Sequence, residues 1–450
     1  MSKSAPQIGV EPLWDLKELP PAKRLLLGLQ HTFAMFGATV LVPILTGLDI
    51  STALLMAGLG TLIFHLLTKG KIPAFLGSSF AFIAGYVAVA PLTDGVADRV
   101  QLAKAGGGIV VSGLLYIILA GLIKFFGVER VMRFFPPVVT GPIIISIGLI
   151  LSPTAIANAQ TDWLLAVIAI AIIVILNIWG RGMAKILPIL LGIFGAYAVA
   201  LILQRVDFST MQDVNIFAVP LHRENFAIFD LSAIITIFPI ALATIMEHIG
   251  DISAISATVG KNYIREPGLH RTLLGDGIAT MFSAFFGGPS NTTYGENTGV
   301  LALTRIYDPA VTRLAAIFAI ILSFFPIFSG LIRSIPTGII GGVSLILYGM
   351  ISAIGVRNLV ENQVDFTKSR NLIVASAILV LALGFASEGL SFEVFGTTVE
   401  LSGIAIAAIV GILLNAILPG KDYTFDEEDP RETGVEFSTT DTTKEGRRQA

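Results

Sequence analysis

The chain reads as an all-α polytopic membrane protein of fourteen transmembrane segments arranged as two inverted repeats of seven. Three observations predict it. Of 450 residues, 54% are hydrophobic and only 14% charged, with a mean hydropathy of +0.81. Soluble domains carry about 25% charged residues, so the deficit points to a chain solvated largely by lipid. Apolar stretches of roughly 17–25 residues recur along the sequence, each closed by polar residues, glycine or proline. Positive charge sorts to one side of those stretches.

The stretches fall near 24–47, 52–69, 73–91, 104–126, 134–152, 162–179, 184–204, 229–250, 270–287, 290–305, 309–332, 336–356, 369–387 and 401–418. An even count puts both termini on one face. Placing that face in the cytoplasm leaves five of the 29 Lys and Arg outside: Arg99, Lys104, Arg205, Arg223 and Arg333. This is positive-inside asymmetry held over many loops, as expected for a multi-pass protein of the cell inner (cytoplasmic) membrane. Residues 1–23 are polar and proline-bearing (EPLWDLKELPP). They lack a short apolar core followed by a small-residue cleavage site, so no signal peptide is expected to be removed and the first span is the anchor. The tail from Lys421 (KDYTFDEEDPRETGVEFSTTDTTKEGRRQA) is charged and apolar-poor, and is expected to be disordered.

Several function classes are disfavoured. There is no cysteine, and His31, His65, His222, His248 and His270 show no metal-ligand spacing. No Walker loop, HExxH or GxSxG occurs, so neither an enzyme nor a cofactor is expected. A net charge of −3 without a basic cluster gives no reason to expect a nucleic-acid partner. The partners implied are the lipid bilayer and a small molecule.

Two passages two hundred residues apart look alike: FFPPVVTGPIIISIGLIL from Phe134 and SIPTGIIGGVSLILYGMI from Ser334. Each places a glycine five residues after a proline, Pro136 with Gly141 and Pro336 with Gly341, ahead of an apolar run. A weaker pair surrounds His31 (GLQHTFAMFGA) and His248 (TIMEHIGDISA). Fourteen spans split into two sevens, and an odd number inverts the second half. Such repeats place a transporter's site at mid-membrane between the halves.

Four acids fall inside apolar segments: Glu247, Asp251, Asp276 and Glu296. A charge at the bilayer centre costs about 2.5–3.5 kcal/mol, so each is a candidate functional group; the alternative is a hydrogen-bonded acid that joins helices. Glu247 and Asp251 stand four residues apart and share a helix face. Two carboxylates so placed compete for charge, a device suited to proton coupling. His248 points away from Glu247 and reads as structural, as does His65 near a helix end. His31 fits either role.

Two segments at membrane depth are interrupted: KIPAFLGSSFAFIAG from Lys71 and FFGGPSNTTYGENTG from Phe285. Irregular backbone at that depth occurs only where it is buried in protein or lines a cavity, and matched interruptions in two halves point to a transporter binding site. Freed N–H groups and helix N-termini there suit a ligand's carbonyls, while the carboxylates suit its N–H groups. A small flat heterocycle fits, with Phe80, Tyr294 and Tyr348 over its faces. An inorganic anion does not, because no Lys or Arg lies at that depth.

The run ENTGVLALTR (Glu296 to Arg305) resembles the signature of the nucleobase–ascorbate transporter family: Gln or Glu, Asn-x-Gly, four residues, Thr and a basic residue. Together with PSNTTYGEN, QHTFAMFGATVLVP from Gln30, GKIPAFLGSSFAFI from Gly70, PGLHRTLLGDG from Pro267 and GGVSLILYG from Gly341, the likeness is to the bacterial uracil permease branch. It runs from about residue 24 to 418.

The resemblance implies segments 3 and 10 broken by short antiparallel strands, and a core domain (24–133 with 229–333) moving against a gate domain (134–228 with 334–419). Residues 1–23 and 420–450 would be cytoplasmic. It implies that Glu247 and Glu296 bind the N–H groups of uracil, that backbone N–H groups at Phe80 and Gly295 reach its carbonyls, and that Ala38, Tyr294 and Tyr348 line the pocket. The activity implied is uracil:proton symport, with Glu296, Glu247, Asp251, Asp276 and His31 as candidates for proton coupling; the alternative is a purine (xanthine or urate) or broader pyrimidine permease. A homodimer is an assembly left open. Purine-transporting relatives commonly have Gln where Glu296 stands, and a carboxylate, which only accepts, suits the N–H edge of uracil. Asp251 departs from the branch, which can have histidine there, and the departure bears on which residue carries the proton.

Overall fold

The computed structural model describes residues 9, 11–93, 96–211, 215–387, 389–394, 397–420 and 423. Most of the tail from Lys421 lies outside the described residues.

The first half comprises α1 (Pro21–Thr46), α2 (Ile50–Leu67), β1 (Leu76–Ser78), α3 (Ile83–Val89), the short strands β2 (Leu92–Thr93) and β3 (Val96–Ala97), α4 (Arg99–Phe126), α5 (Val128–Met132), α6 (Pro137–Gln160), α7 (Trp163–Trp179), α8 (Met183–Ile186) and α9 (Pro188–Ile202). The second comprises α10 (Leu231–Ile237), α11 (Ala241–Val259), α12 (Leu269–Phe285), β4 (Asn291–Thr293), α13 (Gly295–Thr304), α14 (Ala310–Ser323), α15 (Pro326–Arg333), α16 (Thr337–Glu361), α17 (Ser369–Gly384), β5 (Leu390–Val394), β6 (Thr397–Leu401) and α18 (Gly403–Ile417). The protein is therefore mostly helical. Among the described residues six helical stretches are long and apolar enough to cross a membrane, with α10 and α11 counted together. The pair α14 and α15, bent by 83°, makes a seventh if taken as one span.

Local chemistry sets the boundaries. Asp49, Asp98, Asp162 and Asp230 each accept a backbone N–H from the first turn of α2, α4, α7 and α10, satisfying donors that a helix start leaves unpaired. Gly47 and Gly260 close α1 and α11 in the left-handed conformation. Helix α11 runs to Val259, beyond the expected end near residue 250, because ISAISATV after Asp251 offers no residue that stops it. Pro136 and Pro336 occupy the same place, immediately before α6 and α16.

Those two helices form the most extensive contact in the molecule. A Cβ on Gly141 would meet Leu359 Cγ at 2.6 Å, one on Gly148 would meet Tyr348 O at 2.2 Å, and one on Gly341 would meet Ala159 N at 2.1 Å. The pairing is thus antiparallel, and it is close because these glycines carry no side chain. Around it pack α7, α9, α17 and α18, while α1, α2, α4, α12 and α14 pack chiefly with one another.

The N-terminal segment is docked. Gly9 N–H donates to Thr304 O (3.0 Å), Leu13 N–H to Arg305 O (2.8 Å) and Tyr307 N–H to Leu13 O (2.8 Å). Leu16 N–H donates to Asp308 Oδ2 at 2.7 Å, and Leu13, Leu16 and Leu19 are buried. At its base, on the protein surface, Lys71 pairs with Glu266 and holds that exposed carboxyl below the usual range.

Candidate functional site

The two interrupted segments meet. β1 and β4 pair antiparallel, Leu76 opposite Thr293, Gly77 opposite Thr292 and Ser78 opposite Asn291. The pairing is extended by Ser79 N–H to Ser290 O (2.9 Å) and Tyr294 N–H to Phe75 O (3.0 Å). Extended backbone buried among helices survives because each strand satisfies the other's polar groups. Gly77 is required here, since a Cβ on it would lie 2.3 Å from the Tyr294 ring. That ring is held by its own hydroxyl, which donates to Ser78 O at 3.0 Å and accepts from Thr39 Oγ1 at 3.3 Å. Ser78 Oγ donates to Thr39 O at 3.0 Å and closes the ring of contacts. Ala38, the neighbour of Thr39 on α1, is buried.

After each strand the chain resumes as helix. Gly295 opens α13, so its N–H has no carbonyl a turn earlier to accept it. Glu296 follows in the first turn, where the positive end of the helix favours a carboxylate. Gly295 is exposed and Glu296 partly exposed, in contrast with the buried Tyr294 and Asn297 on either side.

Helix α11 brings the other acids. Glu247 and Asp251 are partly exposed and lie within electrostatic reach of Glu296. Asp251 Oδ2 accepts from Thr293 Oγ1 at 2.9 Å, and the Cβ position of Gly295 is 3.9 Å from Asp251 Oδ1. Glu247 Oε2 is buried and has no hydrogen-bond partner among the described residues. From the facing helix α16, Tyr348 meets Phe80 edge-on, with ring centroids 6.3 Å apart.

The structure thus gathers Glu247, Asp251, Tyr294, Gly295 and Glu296 beside the strand crossing, with Phe80 and Tyr348 in contact nearby. Asp276 and His31 lie behind this cluster, Asp276 within electrostatic reach of Glu247 and Asp251 and His31 against Asn297, the neighbour of Glu296. Asp276 is wholly buried on α12, its Oδ2 lying 3.1 Å from His248 Nδ1, a close approach not aligned as a hydrogen bond. His31 is wholly buried on α1, and Asn297 Nδ2 reaches both its Nδ1 and its carbonyl oxygen at 3.1 Å. The two histidines of the weaker repeat thus differ in partner. His65 Nε2 lies 2.8 Å from Ala74 O, which suits a structural role.

The sequence marks Asn297 only as part of the Asn-x-Gly signature and gives Thr39 and Thr293 no role at all. Thr293 and Asn297 lie inside the quoted interruption, so they were open to discovery there. Thr39 is an ordinary residue of an apolar helix and carries no local signal.

Residues 22–388 match the family described as the Permease family. The chain is 43% identical to the uracil permease of Bacillus caldolyticus, covering 91% of this chain and 96% of that one. It is 40% identical to the uracil permease of Bacillus subtilis (93% and 97%) and 38% identical to the putative pyrimidine permease RutG of Escherichia coli (90% and 91%). Among solved structures, the transmembrane domain of a cyanobacterium bicarbonate transporter, BicA, aligns with a TM-score of 0.59 at 16% identity, over 87% of this chain and 96% of that one. SLC26A9 aligns with a TM-score of 0.65 at 12% identity, over 90% and 66%. These two likenesses concern the fold.

Proposed function

The chain belongs to this permease family, the nucleobase–ascorbate transporters, and we propose that it imports uracil across the cell inner membrane together with a proton. It is a multi-pass membrane transport protein. The observation that carries the reading is the placement, beside one strand crossing, of partly exposed Glu247 and Glu296 with the N–H of Gly295, the first residue of α13. Uracil offers two N–H donors and two carbonyl acceptors around a flat ring. Glu247 and Glu296 accept from its N–H groups, and the backbone N–H groups of Phe80 and Gly295 donate to its carbonyls. Tyr294, Tyr348 and Ala38 line the pocket. The uracil permeases among the relatives support that choice.

Clustered acids in a water-poor site favour a shared proton, since neighbouring carboxylates resist full ionisation. In this reading Glu296, Glu247 and Asp251 carry it with the substrate, and Asp276 and His31 relay it behind them. The test is uptake of labelled uracil in a permease-deficient host. Uptake is expected to collapse when a protonophore dissipates the gradient; undiminished uptake refutes the coupling. A broader pyrimidine range is the second reading, favoured by the pyrimidine permease relative. Competition by unlabelled thymine would reveal it, and competition by xanthine would reveal a purine permease.

The same reading takes the fold as fourteen segments in two inverted repeats, with both termini cytoplasmic. The matched prolines before α6 and α16 and the antiparallel packing of those helices support the inversion. The preference of α1, α2, α4, α12 and α14 for one another supports a core domain of 24–133 with 229–333. The packing around α6 and α16 supports a gate domain of 134–228 with 334–419. Assembly as a homodimer belongs to the same reading, and mass measurement in a nanodisc tests it.

A further inference from the structure

Behind the acids, two more ionisable side chains meet in the interior between α11 and α12. His248 and Asp276 are both fully buried, and His248 Nδ1 lies 3.1 Å from Asp276 Oδ2. Neither ring nitrogen of His248 and neither carboxyl oxygen of Asp276 has a hydrogen-bond partner among the described residues, so each side chain has only the other. Glycines make the burial possible. A Cβ on Gly275 would lie 2.8 Å from Phe64 Cδ2 on α2, and one on Gly277 would lie 2.5 Å from Tyr116 Cβ on α4. Helix α12 therefore closes on both neighbours with Asp276 between the two glycines.

No other charge compensates the pair. Tyr116 donates its hydroxyl to Thr244 Oγ1, one turn before His248, and Phe64 meets the imidazole edge-on with ring centroids 6.2 Å apart. His65, the neighbour of Phe64, is engaged with Ala74 O. The other elements packed on α11 include α6, α18 and β4, which carry no titratable residue. Arg265 and Glu266, past the end of α11, are exposed. What remains nearby is acidic: Glu247 directly precedes His248, Asp276 lies within electrostatic reach of Glu247 and Asp251, and Glu296 follows on α13.

We propose that His248 is a positioning residue for substrate binding, cancelling the charge of Asp276 at the back of α11 so that Glu247 meets the substrate as an acceptor. Burying a charge without a partner is costly, and removing one member of a buried pair leaves the other to bear that cost. With one proton shared between imidazole and carboxyl, the pair carries no net charge, whichever member holds it. Without the imidazole, a negative charge behind Glu247 opposes the carboxylate form that accepts from a uracil N–H, and the interior screens it little. His248 acts through its neighbour, since consecutive residues of a helix point about 100° apart. This role rests on the proposed function; the pairing of His248 with Asp276 does not.

The experiment measures labelled-uracil affinity over about pH 5–8 on the purified full-length chain in nanodiscs, beside thermal melts. His248→Gln, close in size and unable to carry a charge, is expected to weaken binding about tenfold at neutral pH and to displace the pH profile. Asp276→Asn removes the charge at its source, so the double variant His248→Gln/Asp276→Asn should recover the parent affinity to within about threefold. A histidine that merely packs predicts the opposite: the profile stays in place and the double variant binds no better than His248→Gln. Either result overturns the proposal. Should His248→Gln fail to fold, the double variant decides alone, parent-like binding upholding the role and loss of binding or of folding overturning it. A parent chain that binds no uracil overturns the proposed function and this role with it, whereas a binding parent whose profile His248→Gln shares overturns the role alone.

Discussion

The two interrupted segments use one backbone device for different ends. Both run from a three-residue strand into a short helix, and their strands complete each other's hydrogen bonds. The first, Leu76 to Val89, carries no charged residue and meets α16 through the ring of Phe80. The second, Asn291 to Thr304, carries Glu296 and touches Asp251 through Thr293. The difference separates architecture from chemistry. The first segment holds the crossing together, and the second places a carboxylate at it. A variant in one should therefore spare what the other does.

Glu296→Gln should have the largest effect on binding. It exchanges an acceptor-only carboxylate for an amide that cannot accept on both arms, at a cost of about 3 kcal/mol or roughly 100-fold in affinity for labelled uracil. Its unfolding temperature should stay level or rise, since a charge has left a low-dielectric site. Wild-type affinity in this variant would remove Glu296 from the site. Gly77→Ala should do the reverse, lowering stability by about 1–3 kcal/mol as its methyl group meets the Tyr294 ring. A thermal melt checks it, and an unchanged melt would mean that the crossing yields.

Thr293→Val sharpens the comparison further. It removes the donor to Asp251 and is expected to cost about 1 kcal/mol, or roughly fivefold, in uracil affinity, while shifting the pH dependence of uptake. A purely structural threonine would leave the pH profile in place. The smallest effect is outside the membrane. Lys71 depresses the carboxyl of Glu266, whose ordinary value is 4.5, so the pair's contribution to stability is present above that pH. It is lost as the pH falls through the depressed value. Lys71→Gln should therefore soften stability slightly near neutrality and change nothing in strong acid, which melts across a pH series will read.

The apolar stretches were legible because lipid imposes a length and a composition on each span. Both interruptions were legible because glycine, proline, serine and asparagine crowd together there, in GSSF and in GGPSNTTYG, leaving no run that favours continuous helix. The run of α11 past Asp251 was not, because Gly250 and an acid together resemble a span's end and only packing shows the helix continuing. The contacts of His248 with Asp276, and of His31 with Asn297, join different helices, and no periodicity within one helix announces a partner on another. The hairpin β5 and β6 lies between the last two apolar stretches, and strands of five residues each give little alternation to detect.

The glycine seam between α6 and α16 leaves main chain against main chain, with no cushion of side chains to shear. A slip by even one helical turn would require the pair to separate first. Tyr348 is thereby fixed in height relative to α6. If the proposed core moves against the proposed gate, the acids on α11 and α13 ride on the core, past an aromatic ring that does not move with them.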